Sequence, residues 1–467
     1  MTEQLRAQPL SMMAVVGASI GNFLVAFDAS AINVALPTAT KELHATVEVC
    51  QWFLDGYTIP LCVFLLISGA IGDRYGAVKV YRWSMLAFLA ASVACAAADT
   101  AGTLIVARIA QGVSASFVVP MTLAILTKGI PDPRRRSTMI GAWGVVGGIG
   151  IASAPLLSGL ITEYAGWRWL FLINVPICAF ALRATQTIAN TPAEQPRRFN
   201  PISQLLLCVL LTCIATVLIE GRRLGWSSVS TLAIAGTAVL SLAAVWQVER
   251  RAAEPTIPPA LARNRSYLLI VCAGSFYQFA SYGSLLVLAL FLQVRHGLRA
   301  DQAGYVMSIC CIAWLFGNVL AVKVTPDNRR QAILVMAGVG CVGATGTAVL
   351  SLTEKIVPAM LPTSLIGLAS GVLASSLSAA AMHVSPHTVS GVGSAVLNTS
   401  RQSGMVIAIG LLGGLPFNHQ LLVPMLLVAA AFATVLFTTA LAYRTTLLTQ
   451  SSPQRLQSSA CQFPSRG

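Results

Sequence analysis

Residues 22–37, NFLVAFDASAINVALP, and residues 50–66, CQWFLDGYTIPLCVFLL, decide how the chain is read. Each belongs to an apolar run long enough to cross a bilayer, and each carries one lone acid, Asp28 and Asp55. A charge at bilayer depth costs several kcal/mol and is usually kept for a reason. The composition says the same at lower resolution. Of the 467 residues 56% are hydrophobic and only 10% charged, against about 25% charged in a soluble domain. An all-α polytopic membrane protein is therefore expected.

A span needs about 20 apolar residues. Runs of that length cover roughly 14–37, 49–71, 80–98, 103–127, 137–161, 169–187, 201–219, 229–248, 266–294, 303–324, 331–352, 355–383, 390–416 and 421–443, predicting fourteen helices. Met1–Leu10 is short and polar, so the first helix is expected to be retained. When loops are assigned alternately, one side carries about three times as many Lys and Arg as the other. That side holds Arg74, Lys79, Arg134, Arg135, Arg136, Arg197, Arg198, Arg250, Arg251, Arg329 and Arg330. It is expected to be cytoplasmic, with both termini. The net charge of +14 is spread through these loops rather than gathered in one patch, which argues against nucleic-acid binding. The eleven cysteines have no ligand-like spacing and read as small buried hydrophobes. No metal or cofactor is expected.

The two longest connectors, 188–200 and 249–265, bracket spans seven and eight. The expected organisation is a six-helix bundle (1–190), an inserted helix pair with cytoplasmic linkers (191–262), a second six-helix bundle (263–445) and a disordered cytoplasmic tail (446–467).

After span two the sequence reads SGAIGDRYGAVKVYR (68–82). Gly69, Asp73, Arg74, Gly76 and Lys79 fit Gly-x-x-x-Asp-Arg-x-Gly-x-x-Lys/Arg. Glycines permit a tight turn, and the charges are placed to latch neighbouring helix ends. Span four contains LIVARIAQGVSASFVVP (104–120), with Arg108 and Gln111 inside the membrane. Span five, GAWGVVGGIGIASAPLLSGLI (141–161), is rich in small residues that allow close packing, among them Gly144, Gly148 and Gly159, with Pro155 as a bend.

These three segments resemble the signatures of the major facilitator superfamily, and the span-five segment resembles its antiporter helix, with Ala154 and Ser158 where that motif usually has glycine. FDASAINVALP (27–37), WRWLFLINVPI (167–177), LIEGRRLGW (218–226) and SAVLNTSRQSG (394–404) resemble the fourteen-span drug:proton antiporter branch, closest to methylenomycin-type resistance exporters. The second half has only a degenerate loop copy, GNVLAVKVTPDNRR (317–330). The resemblance implies a major facilitator fold of two six-helix bundles, here with two additional helices, rocking about a midplane site. It implies proton-driven export of a hydrophobic or cationic drug, antibiotic or metabolite across the plasma membrane. An uptake symporter or facilitator for a small metabolite is the alternative. The partners implied are a small-molecule substrate, protons and the bilayer, with the protein acting as a monomer and not as an enzyme.

Asp28 is expected about 13 Å below the outer end of its span, Asp55 about 9 Å and Arg108 about 7 Å; the resemblance implies that these helices come together in the first half, which makes the three candidates for one proton-coupling site. Other acids of the second half, such as Asp301, Asp327 and Glu354, fall in loops. Two readings compete for each group. Asp28 either couples protons or bonds to its own helix near Ser30 and Asn33. Asp55 either titrates or is a fixed partner of Arg401 or Arg108, and Arg108 itself either acts here or snorkels outward. Phe27, Trp52, Tyr57, Gln111 and Arg401, with Phe276, Tyr277, Gln278 and Tyr282 of span nine, which the resemblance implies is a cavity-lining helix, are the candidates to line the substrate cavity; aromatic walls with few polar groups suit bulky amphiphiles.

Overall fold

The structure is a computed structural model that describes residues 12–130, 132–190, 192, 200–252, 255–353, 356–386, 389–415 and 421–460. Arg197, Arg198 and Glu354, singled out above, lie outside the described residues. Among the described residues fourteen long helical segments follow in order: α1 (Met12–Glu42), α2 (Val47–Tyr75), α3 (Ala77–Ala96), α4 (Ala101–Gly129), α5 (Pro133–Tyr164), α6 (Trp169–Ala184, in two pieces), α7 (Pro201–Leu224), α8 (Val229–Arg251), α9 (Arg265–Leu290, continued as a π-helical turn Phe291–Arg295), α10 (Ala300–Ala321), α11 (Arg329–Leu350), α12 (Ile356–Val384), α13 (Ser390–Gly413) and α14 (Leu422–Ala460). No strand occurs among the described residues.

Twelve of these helices are long and apolar enough to cross a membrane. The other two, α6 and α13, stand where spans six and thirteen were expected. Helix α6 is short and breaks at Ile173. The last helix runs on to Ala460, past the expected end of its span near 443. Residues 461–467 lie outside the described residues.

Helix starts follow local chemistry. Thr46, Thr100, Asp132, Asn200, Ser228 and Asn264 each cap the next helix by accepting a bond from a first-turn N–H. Pro133 and Pro201 sit in the first turn, where a missing N–H costs nothing. Prolines inside spans (Pro37, Pro60, Pro120, Pro155 and Pro362) are tolerated because neighbouring helices support the backbone.

In the first half α1 packs on α5, and α4 on both α2 and α3. In the second half α9 packs on α13 and α14, and α12 on α10 and α11. The halves meet along two seams, α5 against α10 and α2 against α13. Helix α8 packs on α7, and α7 lies across the second seam, touching α2 and α13 together.

At the first seam the backbones nearly touch. A Cβ on Gly159 would come within 2.6 Å of the Ala300 carbonyl, and one on Gly304 within 2.5 Å of the Pro155 carbonyl. Only a residue without a side chain fits on either helix. This gives Pro155 and Gly159 a packing role at the place where the two halves join.

Candidate functional site

Asp28 is 4% exposed and ends in a closed polar network. Nη1 of Arg108 lies 2.6 Å from Asp28 Oδ2 and also donates to Gln111 Oε1 at 2.7 Å. Gln111 Nε2 donates to Asp28 Oδ1 and to Ser92 Oγ, both at 3.0 Å. Asn174 Nδ2 reaches the same two acceptors at 3.3 Å. Arg108 Nε donates to the Phe53 carbonyl at 3.0 Å, and its guanidinium lies 4.3 Å from the centre of the Tyr57 ring. Five helices, α1 to α4 and α6, thus converge on one buried ion pair. Arg108 does not snorkel; it is 1% exposed. Neither does Asp28 bond to its own helix; the Asn33 amide instead donates to the Ser30 carbonyl.

Asp55 is also fully buried, and neither of its oxygens has a hydrogen-bond partner. It pairs with neither Arg108 nor Arg401, since Arg401 donates instead to the Ala374 carbonyl at 2.6 Å. Residues 51, 55 and 62 share one face of α2 by helical spacing, and that face lies on α13. Cys62 Sγ is 3.3 Å from the Thr399 carbonyl and 3.4 Å from Ser403 Oγ, while Gln51 lies against Gly413. The Gln51 amide is likewise unpartnered. The unsatisfied acid therefore sits at the seam where the halves separate, in contrast to Asp28.

A cavity of about 860 Å³ lies between the halves. It reaches one face of the bundle at Gly69, Thr127, Lys128, Thr256 and Val389. Of the expected lining residues, Tyr277, Gln278, Tyr282 and Arg401 are present, and Gly144 and Gly148 of α5 form part of the wall. Phe27, Trp52, Tyr57, Gln111 and Phe276 do not line it, and neither do Asp28, Asp55 or Arg108. Phe27 stacks on Phe23 and packs with Ala154, and Trp52 packs beside Cys62 and Leu211. Phe276 points outward at 38% exposure, and its neighbour Tyr277 faces inward; one residue along a helix turns the side chain by about 100°.

The face on which the cavity opens is the face of the 69–79 motif. Gly76 takes φ 88°, the left-handed conformation that lets α2 end and α3 begin in one step. Asp73 lies 3.4 Å from Lys128 at the end of α4. Asn190 bonds both the Tyr75 carbonyl and the Lys79 N–H. Lys79 itself lies over the Trp83 ring, and Arg74 over the ring of Tyr75. These bonds bind the turn to the first half alone.

The opposite face is closed across the halves. Arg299 lies 2.8 Å from Glu163 and 3.4 Å from Asp301, whose carboxylate also accepts from Tyr164. Asp301 first, then Glu163, make the Arg299 guanidinium harder to deprotonate. Gln293 adds a bond to the Val34 carbonyl at 2.9 Å.

Sequence reasoning missed several polar residues that the structure brings into these sites. Ser92 and Asn174 complete the Asp28 network; Trp314, Asn318, Asn398 and Gln402 line the cavity. Asn174 was legible as a lone polar residue inside an apolar helix. Trp314 was not, because an aromatic at one helical position reads the same whether it faces lipid, core or cavity.

Residues 18–409 match the sequence model of the Major Facilitator Superfamily. The chain is 30% identical over 397 residues to a methylenomycin A resistance protein of Streptomyces coelicolor, covering 84% of this chain and 83% of the relative. It is 30% identical over 403 residues to a puromycin resistance protein of Streptomyces alboniger, covering 83% and 78%. Among solved structures it is similar to a D-xylose-proton symporter (TM-score 0.66, 13% identity, 91% of this chain and 96% of that one). It is also similar to a peptide transporter in complex with sulfate (TM-score 0.69, 15% identity, 96% and 98%). At those identities the solved structures speak to the fold alone.

Proposed function

The chain belongs to the Major Facilitator Superfamily, and from that premise we propose that it is a proton-coupled exporter of an amphiphilic drug, antibiotic or metabolite, of the fourteen-span kind. The observation that carries export is the similarity to resistance proteins along more than four fifths of the chain. Small-molecule transport, multi-pass insertion in the plasma membrane and the absence of an enzymatic role follow from the family; direction and proton coupling are our reading. Helices α6 and α13 count as spans in this reading, since each sits inside a six-helix half and contributes to a site. Both termini and the open mouth of the cavity are cytoplasmic, which is the side the basic loops select. The protein works as a monomer.

The two acids divide the work. Asp55, without a partner and at the α2–α13 seam, is the group that takes up and releases a proton. An ionised carboxylate there would be a buried unpaired charge, which is strongly unfavourable. Ionisation therefore favours a conformation in which the seam admits water or a counter-charge. Protonation favours the closed seam seen here. That difference links the proton to which face is open, and linkage of this kind is reciprocal. Asp28 and Arg108 hold the first half as one body that can rock, and the 69–79 turn, with Gly69, Asp73, Arg74, Gly76 and Lys79, forms the cytoplasmic latch.

The test is a resistance and accumulation screen in a host stripped of its own exporters. Expression should raise tolerance to at least one amphiphilic antibiotic and lower its accumulation. Collapsing the proton gradient should abolish the effect. Accumulation that rises with expression, or efflux indifferent to the gradient, would contradict the proposal.

A further inference from the structure

The charge lining the cavity goes further than the exporter reading on which it rests, and narrows the cargo. Among the described residues no Asp or Glu lines the cavity, and its two cations are Lys128 and Arg401. Lys128 is at the mouth, 47% exposed and beside Asp73, so its field is offset and screened.

Arg401 is different. Helix α13 carries it into the membrane, where Nη2 donates to the Ala374 carbonyl and Nε is buried with no partner. It forms no ion pair among the described residues. The intramembrane acids are engaged or turned elsewhere, Asp28 by Arg108 and Asp55 at the α2–α13 seam. A guanidinium offers five N–H donors in a planar fork that matches a carboxylate, sulfonate or phosphonate. An uncompensated cation inside a membrane cavity is expensive and marks a functional site. Around it, Tyr277 lies 5.3 Å from the guanidinium, and Trp314 meets Tyr282 edge-on at 5.5 Å and Tyr277 at 6.5 Å. This is a cluster of edge-on aromatic rings beside a positive charge.

We propose that Arg401 anchors a negatively charged group of the cargo, and that the cavity selects amphiphilic organic anions over cations of the same size. The apolar body rests on Tyr277, Tyr282 and Trp314, and Gln278 and Gln402 supply further donors. A cation entering this site meets a like charge and finds no carboxylate to offset it. Cargo and proton are then coupled through the seam rather than by competition for one acid.

Binding to purified protein in nanodiscs tests this without any gradient. The probes are 1-pyrenebutanoate, neutral 1-pyrenebutanol and the trimethylammonium analogue of the same chain, followed by energy transfer from tryptophan at about pH 7, where the carboxylate is ionised. The carboxylate should bind about tenfold or more tighter than the cation, as expected for a poorly solvated charge pair. Arg401→Gln should erase that difference and leave the alcohol unchanged, and Arg401→Lys should keep part of it. Equal or tighter binding of the cation would overturn the proposal. So would an Arg401→Gln variant that loses all three probes equally, since that is the signature of a structural arginine. If Arg401→Gln does not fold, the order of the three probes on the unaltered protein and on Arg401→Lys decides. Anion preference without gradient-driven transport would sink the exporter reading and leave this one standing; the reverse result would do the opposite.

Discussion

Asp28 and Asp55 are both buried acids in the first two helices, yet their surroundings are opposites. Around Asp28 the fold supplies an arginine and two amides, and every oxygen is used. Around Asp55 it supplies nothing, and both oxygens are bare. The first environment belongs to one rigid half, the second to the boundary between halves. A charge that must stay is surrounded by partners within its own body. A charge that must come and go is left at the surface along which the bodies part. The difference also separates stability from coupling, so each can be attacked alone.

The largest effect is expected from cutting the Asp28 network. Removing one member of a buried pair leaves the other uncompensated and costs about 3–5 kcal/mol. Arg108→Gln and Asp28→Asn should each lower the thermal midpoint of the purified protein sharply. The double variant should recover part of the loss. If Asp28→Asn melts like the unaltered protein, the contrast between the acids fails.

Next comes the α5–α10 seam, where the backbones of the two halves nearly touch. Gly159→Val drives a side chain into the Ala300 backbone. Overpacking of this kind costs about 1–3 kcal/mol. Thermal unfolding should show that loss, and efflux should fall with it. A variant as active and stable as the original would mean that the close approach is not used.

Smaller still is the effect at the closed face. Glu163→Gln removes a partly exposed ion pair with Arg299, and pairs of that kind are worth about 0–1 kcal/mol. The melting point should barely move. Maleimide labelling of a cysteine introduced at Ala303, which is buried beside this closure, should rise from the outer face. Unchanged labelling would remove Glu163–Arg299 from the gate.

How much of this was legible in the sequence follows from the physics of each signal. Hydropathy reports length, so a helix stands near each expected place, but only twelve are long and apolar enough to cross a membrane, α6 and α13 being the exceptions. The 68–82 turn was readable because a positive-φ glycine and a charge set leave a spaced signature. Asp28, Asp55 and Arg108 could be grouped as charges inside the first-half spans. Partnership itself could not be read, because a helix presents a new direction every 100°, and an apolar run in a membrane gives no inside-outside alternation to fix rotation. Hence of the neighbours Phe276 and Tyr277 only Tyr277 faces the cavity, and Trp52 and Tyr57, near Asp55 in the sequence, turn away from it. The resemblance implies a hydrophobic or cationic cargo, but neither Asp28 nor Asp55 lines the cavity, whose deep charge is Arg401.

The most direct test concerns Asp55, where the expected effect on stability is smallest and the effect on coupling is total. Asp55→Asn and Asp28→Asn are compared in everted vesicles with the compound that the resistance screen yields. Both gradient-driven uptake and gradient-free exchange are measured, and the melting point is measured in parallel. The account predicts that Asp55→Asn abolishes uptake driven by the proton gradient while keeping exchange and melting within about 1 kcal/mol of the original. Full gradient-driven uptake by Asp55→Asn would contradict it.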